Sequence, residues 1–146
     1  MSTRSMIGIK VGNMIVGVYC HYDGYLAHNG KILYENYKTL NKIEKLVALG
    51  SLSVLGKNIG RKKDFNKMYE EEYRKKYEDE CLAYCRDRGE ERHIEFDLPQ
   101  NFAHEEYNYY FDNGEWYVAY CETWDTVEKK YNFVPLKKTL EEGGII

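Results

Sequence analysis

The chain has 146 residues, of which 43% are hydrophobic and 31% are charged. Such a length fits a single domain that buries roughly 68–70% of the surface its unfolded form exposes. The composition is that of a globular protein and excludes the disordered and collagen-like classes. Lys and Arg number 21 against 24 Asp and Glu, a net charge of -3. Because that balance gives no field to attract nucleic acid, we expect no nucleic-acid partner, and a phosphate ligand needs a local cluster of cations.

Tyrosine is unusually frequent, with fifteen Tyr against five Phe and two Trp. A tyrosine has an apolar ring and a hydroxyl that needs a partner, so an excess of Tyr favours half-buried surfaces and interfaces over a dry core. We therefore expect a binding protein, and we expect it to form a homo-oligomer.

The first apolar stretch is short and is interrupted by Lys10 and Asn13. It is too short for a signal peptide or a transmembrane helix, so the sequence predicts a cytoplasmic protein without a membrane partner. In that compartment the cysteines are expected to be reduced thiols. Their spacing is not typical of a zinc site, so we predict no metal and no cofactor. The four cysteines are Cys20, Cys81, Cys85 and Cys121.

Taken in chain order, residues 5–10 and 14–20 predict a β-hairpin with its turn near Gly12-Asn13. Helical spacing of apolar residues then predicts one helix over residues 28–38 and a second from Leu40, with Asn41 and Glu44 as a capping box and Gly50 at its end.

Residues 61–80 are rich in charge of both signs and are predicted to be a helical insertion. Phe65, Tyr69, Tyr73 and Tyr77 are spaced by four, which would line them along one helical face. That face is either packed in the domain or a surface for a partner. A short buried strand is predicted over residues 81–85, and residues 99–103 are expected to be irregular.

A second hairpin is predicted over residues 107–111 and 115–120, since Asn113-Gly114 between two aromatic runs is a strong hairpin signal. A short segment at residues 133–136 then leads into a final helix or tail. The sequence therefore predicts one α+β domain, residues 1–146. Its antiparallel sheet would be built from the two hairpins, with helices packed on one face.

Three polar clusters lie at predicted strand ends, where side chains of one sheet can converge. Arginine guanidinium groups can bind two phosphate oxygens at once, tyrosine rings can stack on a base, and Asp23 or Glu90 can accept from a ribose hydroxyl or a base amine. The alternative is that the Arg-Asp-Arg run is a surface network of ion pairs and that Asp23-Gly24 is only a turn. The predicted ligand site comprises Arg4, Ser5, His21, Tyr22, Asp23, Gly24, Tyr25, Arg86, Asp87, Arg88, Glu90, Tyr107 and Tyr109.

Several of these motifs resemble a family of small phage and prophage proteins. The motifs are Met-x-Thr-Arg-Ser at the start, Tyr-Cys-His-Tyr-Asp-Gly-Tyr from Tyr19, His-Asn-Gly-Lys-Ile-Leu from His28, Arg-Asp-Arg-Gly-Glu from Arg86, and Glu-Tyr-Asn-Tyr from Glu106 followed by Gly-Glu-Trp from Gly114. The family usually has Trp where this chain has Tyr22, and residues 61–80 are extra. The resemblance implies a protein that acts against host defence, in the cytoplasm of the host cell.

The sequence favours sequestration of a nucleotide immune signal, of the cyclic nucleotide or cyclic ADP-ribose type, without cleavage. One alternative is an enzyme that hydrolyses the signal, with His21 as general base oriented by Asp23 or Glu90. Another is an inhibitor that docks on a host defence protein through the aromatic residues from Phe65 to Tyr77.

Overall fold

The structure is a computed structural model that describes residues 2–120 and 132–146, and these form a mixed sheet of eight strands with six α-helices. The strands are β1 (Ser5–Val11), β2 (Met14–Cys20), β3 (Leu52–Val54), β4 (Leu82–Ala83), β5 (Glu95–Asp97), β6 (Tyr107–Asp112), β7 (Glu115–Tyr120) and β8 (Val134–Pro135). The helices are α1 (Lys31–Asn36), α2 (Leu40–Ala48), α3 (Glu71–Lys76), α4 (Tyr84–Arg88), α5 (Pro99–Phe102) and α6 (Leu136–Glu142). A π-helical turn, Leu26–Gly30, precedes α1, and a 3-10 turn, Phe65–Lys67, precedes α3. None of the described helices is long and apolar enough to span a membrane.

Both predicted hairpins are confirmed. Strands β1 and β2 pair antiparallel over their whole length. Strands β6 and β7 pair likewise, and their turn places Asn113 at φ 49° and Gly114 at φ 80°. Two successive residues with positive φ define the tight hairpin turn whose twist matches that of the flanking strands. Local turn chemistry therefore fixes both hairpins.

The expectation of a purely antiparallel sheet is wrong. Strand β1 lies beside β6 in parallel, with Ser5 opposite Tyr107 and Ile9 opposite Phe111. Strand β3 also pairs in parallel with β2. The strand order is β4-β3-β2-β1-β6-β7-β8, and β5 pairs with the first half of β2. A parallel pair cannot be closed by a tight turn, so its formation depends on the long connection between the two hairpins.

The prediction that helices cover one face is also wrong, because the sheet is covered on both. Successive side chains of a strand point to opposite faces. Ile7 and Ile9 of β1 belong to the main core, together with residues of α1, α2 and α6. Met6 points to the other face, where it packs with Ile15 and with Phe102 of α5. The second face therefore has a small core of its own.

Two glycines shape that second core. Gly8 and Gly17 lie opposite each other on β1 and β2, under the buried ring of Phe102. A Cβ atom at Gly17 would lie 2.4 Å from Cε2 of Phe102, and one at Gly8 would lie 3.0 Å from its Cζ. The glycine pair thus leaves the room that lets an aromatic ring lie directly on the sheet.

Helix α2 begins as predicted near Leu40, but its cap differs from the predicted one. The Thr39 hydroxyl accepts a hydrogen bond from the Lys42 amide at 3.3 Å, so Thr39 and not Asn41 is the N-cap. Threonine at that position satisfies one of the unpaired amides of the first turn. Gly50 follows the helix with φ 77°.

Residues 61–80 do not form the single helix that the four-residue spacing predicts. They form the 3-10 turn and the short helix α3, with extended chain between and around them. Phe65 stacks on Tyr84, and the Tyr73 hydroxyl accepts from the Asp64 amide at 2.7 Å. Tyr69 alone points outward, with 78% of its surface exposed. Phe65 therefore joins this segment to α4, Tyr73 forms contacts within the segment, and the four aromatic residues do not share one helical face.

Candidate functional site

The predicted ligand loop, residues 21–25, lies against the start of β1. The Gly24 amide donates to the Thr3 carbonyl at 2.8 Å, and the Tyr109 hydroxyl donates to the Gly24 carbonyl at 2.6 Å. Tyr109 is fully buried, so the expectation that its ring offers a stacking face is wrong. Burial raises the pKa of Tyr109 well above its usual range, which keeps the hydroxyl a donor. Gly24 and Tyr109 therefore hold residues 21–25 in place through hydrogen bonds inside the protein.

Ser5 is likewise part of the interior. The side-chain amide of the buried Asn29 donates to the Ser5 hydroxyl at 3.1 Å and lies 3.5 Å from the Cys20 sulfur. Burial raises the pKa of Cys20 to about 12, so this thiol stays neutral. Cys20, Cys81 and Cys85 are free thiols, as predicted, and Cys121 lies outside the described residues. Ser5 thus offers no hydroxyl to a ligand.

The pair Arg86 and Asp87 holds neighbouring segments together. The buried Asp87 carboxylate accepts from the amides of Lys63 and Ala83, at 3.1 and 2.8 Å. The Arg86 guanidinium donates to the Cys81 and Ile59 carbonyls, at 2.8 and 3.0 Å, and pairs with Asp87. Because these donors and acceptors already have partners, neither side chain is free to bind phosphate or ribose, contrary to the predicted roles.

Arg88 and Glu90 are exposed, but they pair with each other. The Arg88 guanidinium also lies over two aromatic rings, 4.5 Å from the centre of Phe65 and 4.7 Å from that of Tyr84. Helix α4 follows β4, which lies three strands from β1, about 14 Å at the usual strand spacing. The described contacts of Arg88 are therefore with Glu90 and the two rings, and none of them is with Arg4.

The remaining predicted residues do meet at one end of the sheet. Arg4, Tyr22 and Tyr25 are exposed there, while His21 and Asp23 are half-buried. Asp23 has φ 57°, a turn conformation that Asp tolerates. Tyr107 begins β6 beside them, half-buried and stacked on Tyr120 with ring centres 5.6 Å apart. This end of the sheet offers one guanidinium and two exposed tyrosine rings on an open surface.

His21 has a specific partner in this region. Its Nδ1 atom lies 2.6 Å from the Tyr19 hydroxyl. Burial raises the pKa of Tyr19, Arg4 opposes that shift, and Glu105 adds to it. The imidazole is thus held by a phenol and not by the Asp23 or Glu90 carboxylate that the hydrolase hypothesis requires.

Two clefts lie at the opposite end of the sheet, near the turn between β6 and β7. One, of about 650 Å³, we name the lysine–aromatic cleft; its lining includes Tyr34, Lys38, Glu115, Trp116, Lys137, Lys138 and Glu141. The other, of about 880 Å³, is lined mainly by apolar side chains, among them Val11, Leu40 and Ile94. None of the residues predicted for the ligand site lines either cleft.

The lysine–aromatic cleft is built by elements that sequence spacing alone does not bring together. The Trp116 indole donates to the Tyr37 carbonyl at 2.9 Å, which ties β7 to the end of α1. Lys38 follows that end, and Lys137 and Lys138 lie in the first turn of α6. The adjacent Lys137-Lys138 pair was the one local signal of this cation cluster, and Lys38 joins it only through the fold.

Comparisons of the chain with models of protein families, with curated proteins and with solved structures find no match. A functional assignment therefore depends on the chemistry of the clefts and surfaces themselves. Both clefts contain cations, carboxylates and an aromatic ring, and they share Lys38 and Phe111; the lysine–aromatic cleft has the larger number of lysines and aromatic residues.

Proposed function

We propose that the protein sequesters a nucleotide immune signal, of the cyclic nucleotide or cyclic ADP-ribose type, and that the lysine–aromatic cleft holds it uncleaved. One observation carries this proposal: three lysines and four aromatic residues line a cavity of about 650 Å³. Small-molecule sites typically occupy about 300–1,000 Å³ and combine apolar walls with a few polar groups. The cavity is therefore of a size that suits a nucleotide.

The cations suit the phosphate part of such a ligand. Lys38, Lys137 and Lys138 line the cleft, and the ion pair of Lys138 among the described residues is a long one, 4.0 Å, with Glu142. An ammonium group binds phosphate as a point charge with three donors and adapts to oxygens of different geometry. Because the whole chain has a net charge of -3, this local cluster supplies the positive potential that the overall charge does not.

The other side chains of the cleft suit a base and a ribose. Glu115 and Glu141 line it and can accept hydrogen bonds from a base amine or a ribose hydroxyl. Tyr34 is half-buried and offers part of its ring for stacking. Trp116 is held by its indole hydrogen bond and by edge-to-face contact with Phe111, with ring centres 5.4 Å apart. Rigid aromatic walls lower the entropy lost on binding.

Binding without cleavage is favoured over hydrolysis by the position of His21. Its ring nitrogen is paired with the Tyr19 hydroxyl at 2.6 Å, at the end of the sheet away from the cleft. A histidine acting as general base is usually oriented by a carboxylate on its other nitrogen. The docking hypothesis is less favoured, because the aromatic residues from Phe65 to Tyr77 do not lie along one helix, and Phe65 and Tyr73 contact other residues of the domain. The resemblance to phage proteins then suggests sequestration as the anti-defence activity.

Retention of candidate signals by the purified protein tests the proposal. The protein is incubated with 3′,5′-cyclic AMP, a cyclic dinucleotide and cyclic ADP-ribose, freed of unbound ligand, heated, and the released molecule is identified by mass spectrometry. We expect release of one intact signal. Combined replacement Lys137→Ala and Lys138→Ala should lower retention at least tenfold, because it removes two of the three cations. Lys45→Ala, on the exposed side of α2, is the matched control.

The Arg4→Ala variant separates the cleft from the surface predicted by sequence. Full retention by Arg4→Ala together with loss in the lysine variant supports the cleft. The opposite result would move the site to the exposed end with Arg4, Tyr22 and Tyr25. A cleaved product would show the hydrolase alternative to be correct, and absence of any retained signal would contradict sequestration altogether.

A further inference from the structure

A group of metal-ligating side chains lies on the second face of the sheet, and none of its members lines either cleft. Glu95, Asp97 and His104 each place a ligand atom within 4.8 Å of the other two. The Nε2 atom of His104 lies 3.0 Å from a carboxylate oxygen of Glu95. We call these three residues the carboxylate–histidine cluster.

Strand register explains why the two carboxylates share a face. Glu95 pairs with Gly17 and Asp97 pairs with Ile15, two positions on the face of the sheet that Phe102 covers. Residues two apart on a strand point to the same side, so both carboxylates stand beside the second core. The chain then turns through α5, and burial of Phe102 fixes the place where His104 follows.

Two further side chains lie next to the cluster. The Nδ1 atom of His104 lies 3.7 Å from a carboxylate oxygen of Glu105, too far for a hydrogen bond but on the side from which an outer carboxylate orients a ligating imidazole. His93 places Nε2 3.7 Å from the other oxygen of Glu95, next to the cluster but outside the group of three whose ligand atoms all lie within 4.8 Å. Strand β5 thus supplies the two carboxylates, and the segment after α5 supplies the imidazole.

We infer that the carboxylate–histidine cluster binds a divalent first-row transition ion of the Zn²⁺ class. Imidazole favours such ions over Mg²⁺ and Ca²⁺, which prefer oxygen-only ligands. Metal–ligand distances of about 2.0–2.2 Å place neighbouring ligand atoms roughly 3–3.5 Å apart. The Glu95–His104 distance of 3.0 Å already meets this requirement. The carboxylate oxygen of Asp97 lies within 4.8 Å of the other two ligand atoms, and a rotation of its side chain would bring it to coordination distance of the same ion.

Charge and access agree with that assignment. Glu95, Asp97 and Glu105 bring three carboxylates close together; within the described residues no Lys or Arg lies at ion-pair distance from them, although Arg4 is near enough to Glu105 to oppose the rise in its pKa that burial causes. A bound dication would offset their mutual repulsion. Glu95 and Asp97 are half-buried and His104 is exposed, so an ion can enter from solvent.

Zinc titration of the purified full chain tests this inference. Isothermal titration calorimetry should give one Zn²⁺ per chain, and Co²⁺ in its place should give a visible absorption band typical of nitrogen and oxygen ligands. Asp97→Asn and His104→Asn should each weaken binding at least tenfold. Asp79→Asn, an exposed carboxylate outside the cluster, is the matched control and should bind as the parent does. Circular dichroism checks that each variant is folded.

The results separate a built site from general attraction to an acidic surface. Selective loss in Asp97→Asn and His104→Asn, with Mg²⁺ unable to compete, supports the site. Equal binding by all four proteins, or equal competition by Mg²⁺, would overturn it. Absence of any Zn²⁺ binding by the parent would equally overturn it and would leave Glu95 and His104 as a simple ion pair. Nucleotide retention is measured separately, so neither proposal decides the other.

Discussion

The Tyr109 hydroxyl donates a hydrogen bond of 2.6 Å to the Gly24 carbonyl and so joins the middle of β6 to the loop after β2, 85 positions away in the chain. Both residues are buried. The contact connects the two hairpins, whose strands β1 and β6 pair in parallel. It fixes the loop that presents Tyr22 and Tyr25 to solvent.

Replacing Tyr109 by Phe should destabilise the protein by about 1–3 kcal/mol, because the buried Gly24 carbonyl would lose its partner. Urea denaturation measures this change in the free energy of unfolding. Tyr110→Phe is the matched control, since that ring is half-buried and stacked on Tyr117. Equal stabilities of the two variants would show that the bond to Gly24 contributes little.

Gly17→Ala should destabilise the protein by about 1–3 kcal/mol through overpacking. The added Cβ would lie 2.4 Å from Phe102 Cε2, well inside contact distance. Gly143→Ala is the control, because its Cβ would meet no atom closer than 3.4 Å. Combining Gly17→Ala with Phe102→Leu should cost less than the sum of the two single changes. Strict additivity in thermal denaturation would argue against direct contact.

Arg86→Ala and Arg88→Ala should lower the free energy of unfolding by very different amounts, although both residues belong to the same predicted ligand motif. Loss of Arg86 leaves the buried Asp87 carboxylate without its ionic partner and removes donors from two carbonyls, for an expected cost of about 2–4 kcal/mol. The Arg88 side chain is 41% exposed, and its loss should cost under about 1 kcal/mol. Urea midpoints compare them, and similar costs would contradict this division of roles.

Stability should fall above about pH 8.5, the ordinary titration range of a thiol. Burial raises the pKa of Cys20 to about 12 and also raises the pKa values of Tyr37 and Tyr109. The folded state therefore holds these protons more tightly than the unfolded state does. The stability that these groups contribute is fully present below their pKa in the unfolded state, and it is lost as the pH rises toward their pKa in the folded state. Lys63, whose pKa burial lowers, acts in the opposite direction.

Comparing the parent with Cys20→Ala isolates the contribution of the Cys20 thiol to the pH dependence of stability. Between pH 8.5 and 10.5 the parent should lose about 2 kcal/mol more than the variant, measured by urea denaturation at each pH. In the parent, Cys20 should also resist alkylation at pH 8 until the protein is unfolded, because the thiolate fraction is only about one in ten thousand at a pKa near 12. Identical pH profiles for parent and variant would contradict this role of Cys20.

The sequence by itself determined the elements that local chemistry fixes. The β6–β7 hairpin follows from its turn residues, since Asn113 and Gly114 adopt the positive φ angles that their pairing predicts, and the turn of the β1–β2 hairpin has Gly12 at φ 63°. Helix α2 follows from its apolar spacing, although its cap proved to be Thr39. The four-residue aromatic spacing misled for residues 61–80, because it cannot distinguish one helical face from residues that pack separately. Phe65, for instance, stacks on Tyr84.

Only the tertiary structure decided how these elements meet. The parallel pairing of β1 with β6 joins segments about a hundred residues apart, and no local pattern encodes that register. The same long-range contacts bury Tyr109, and they bring Lys38 and Lys137 to one cleft. They also give the Arg86 guanidinium hydrogen-bond partners inside the protein. Residue type predicts what a side chain can bind. Whether it is free to do so depends on which partners the fold brings to it.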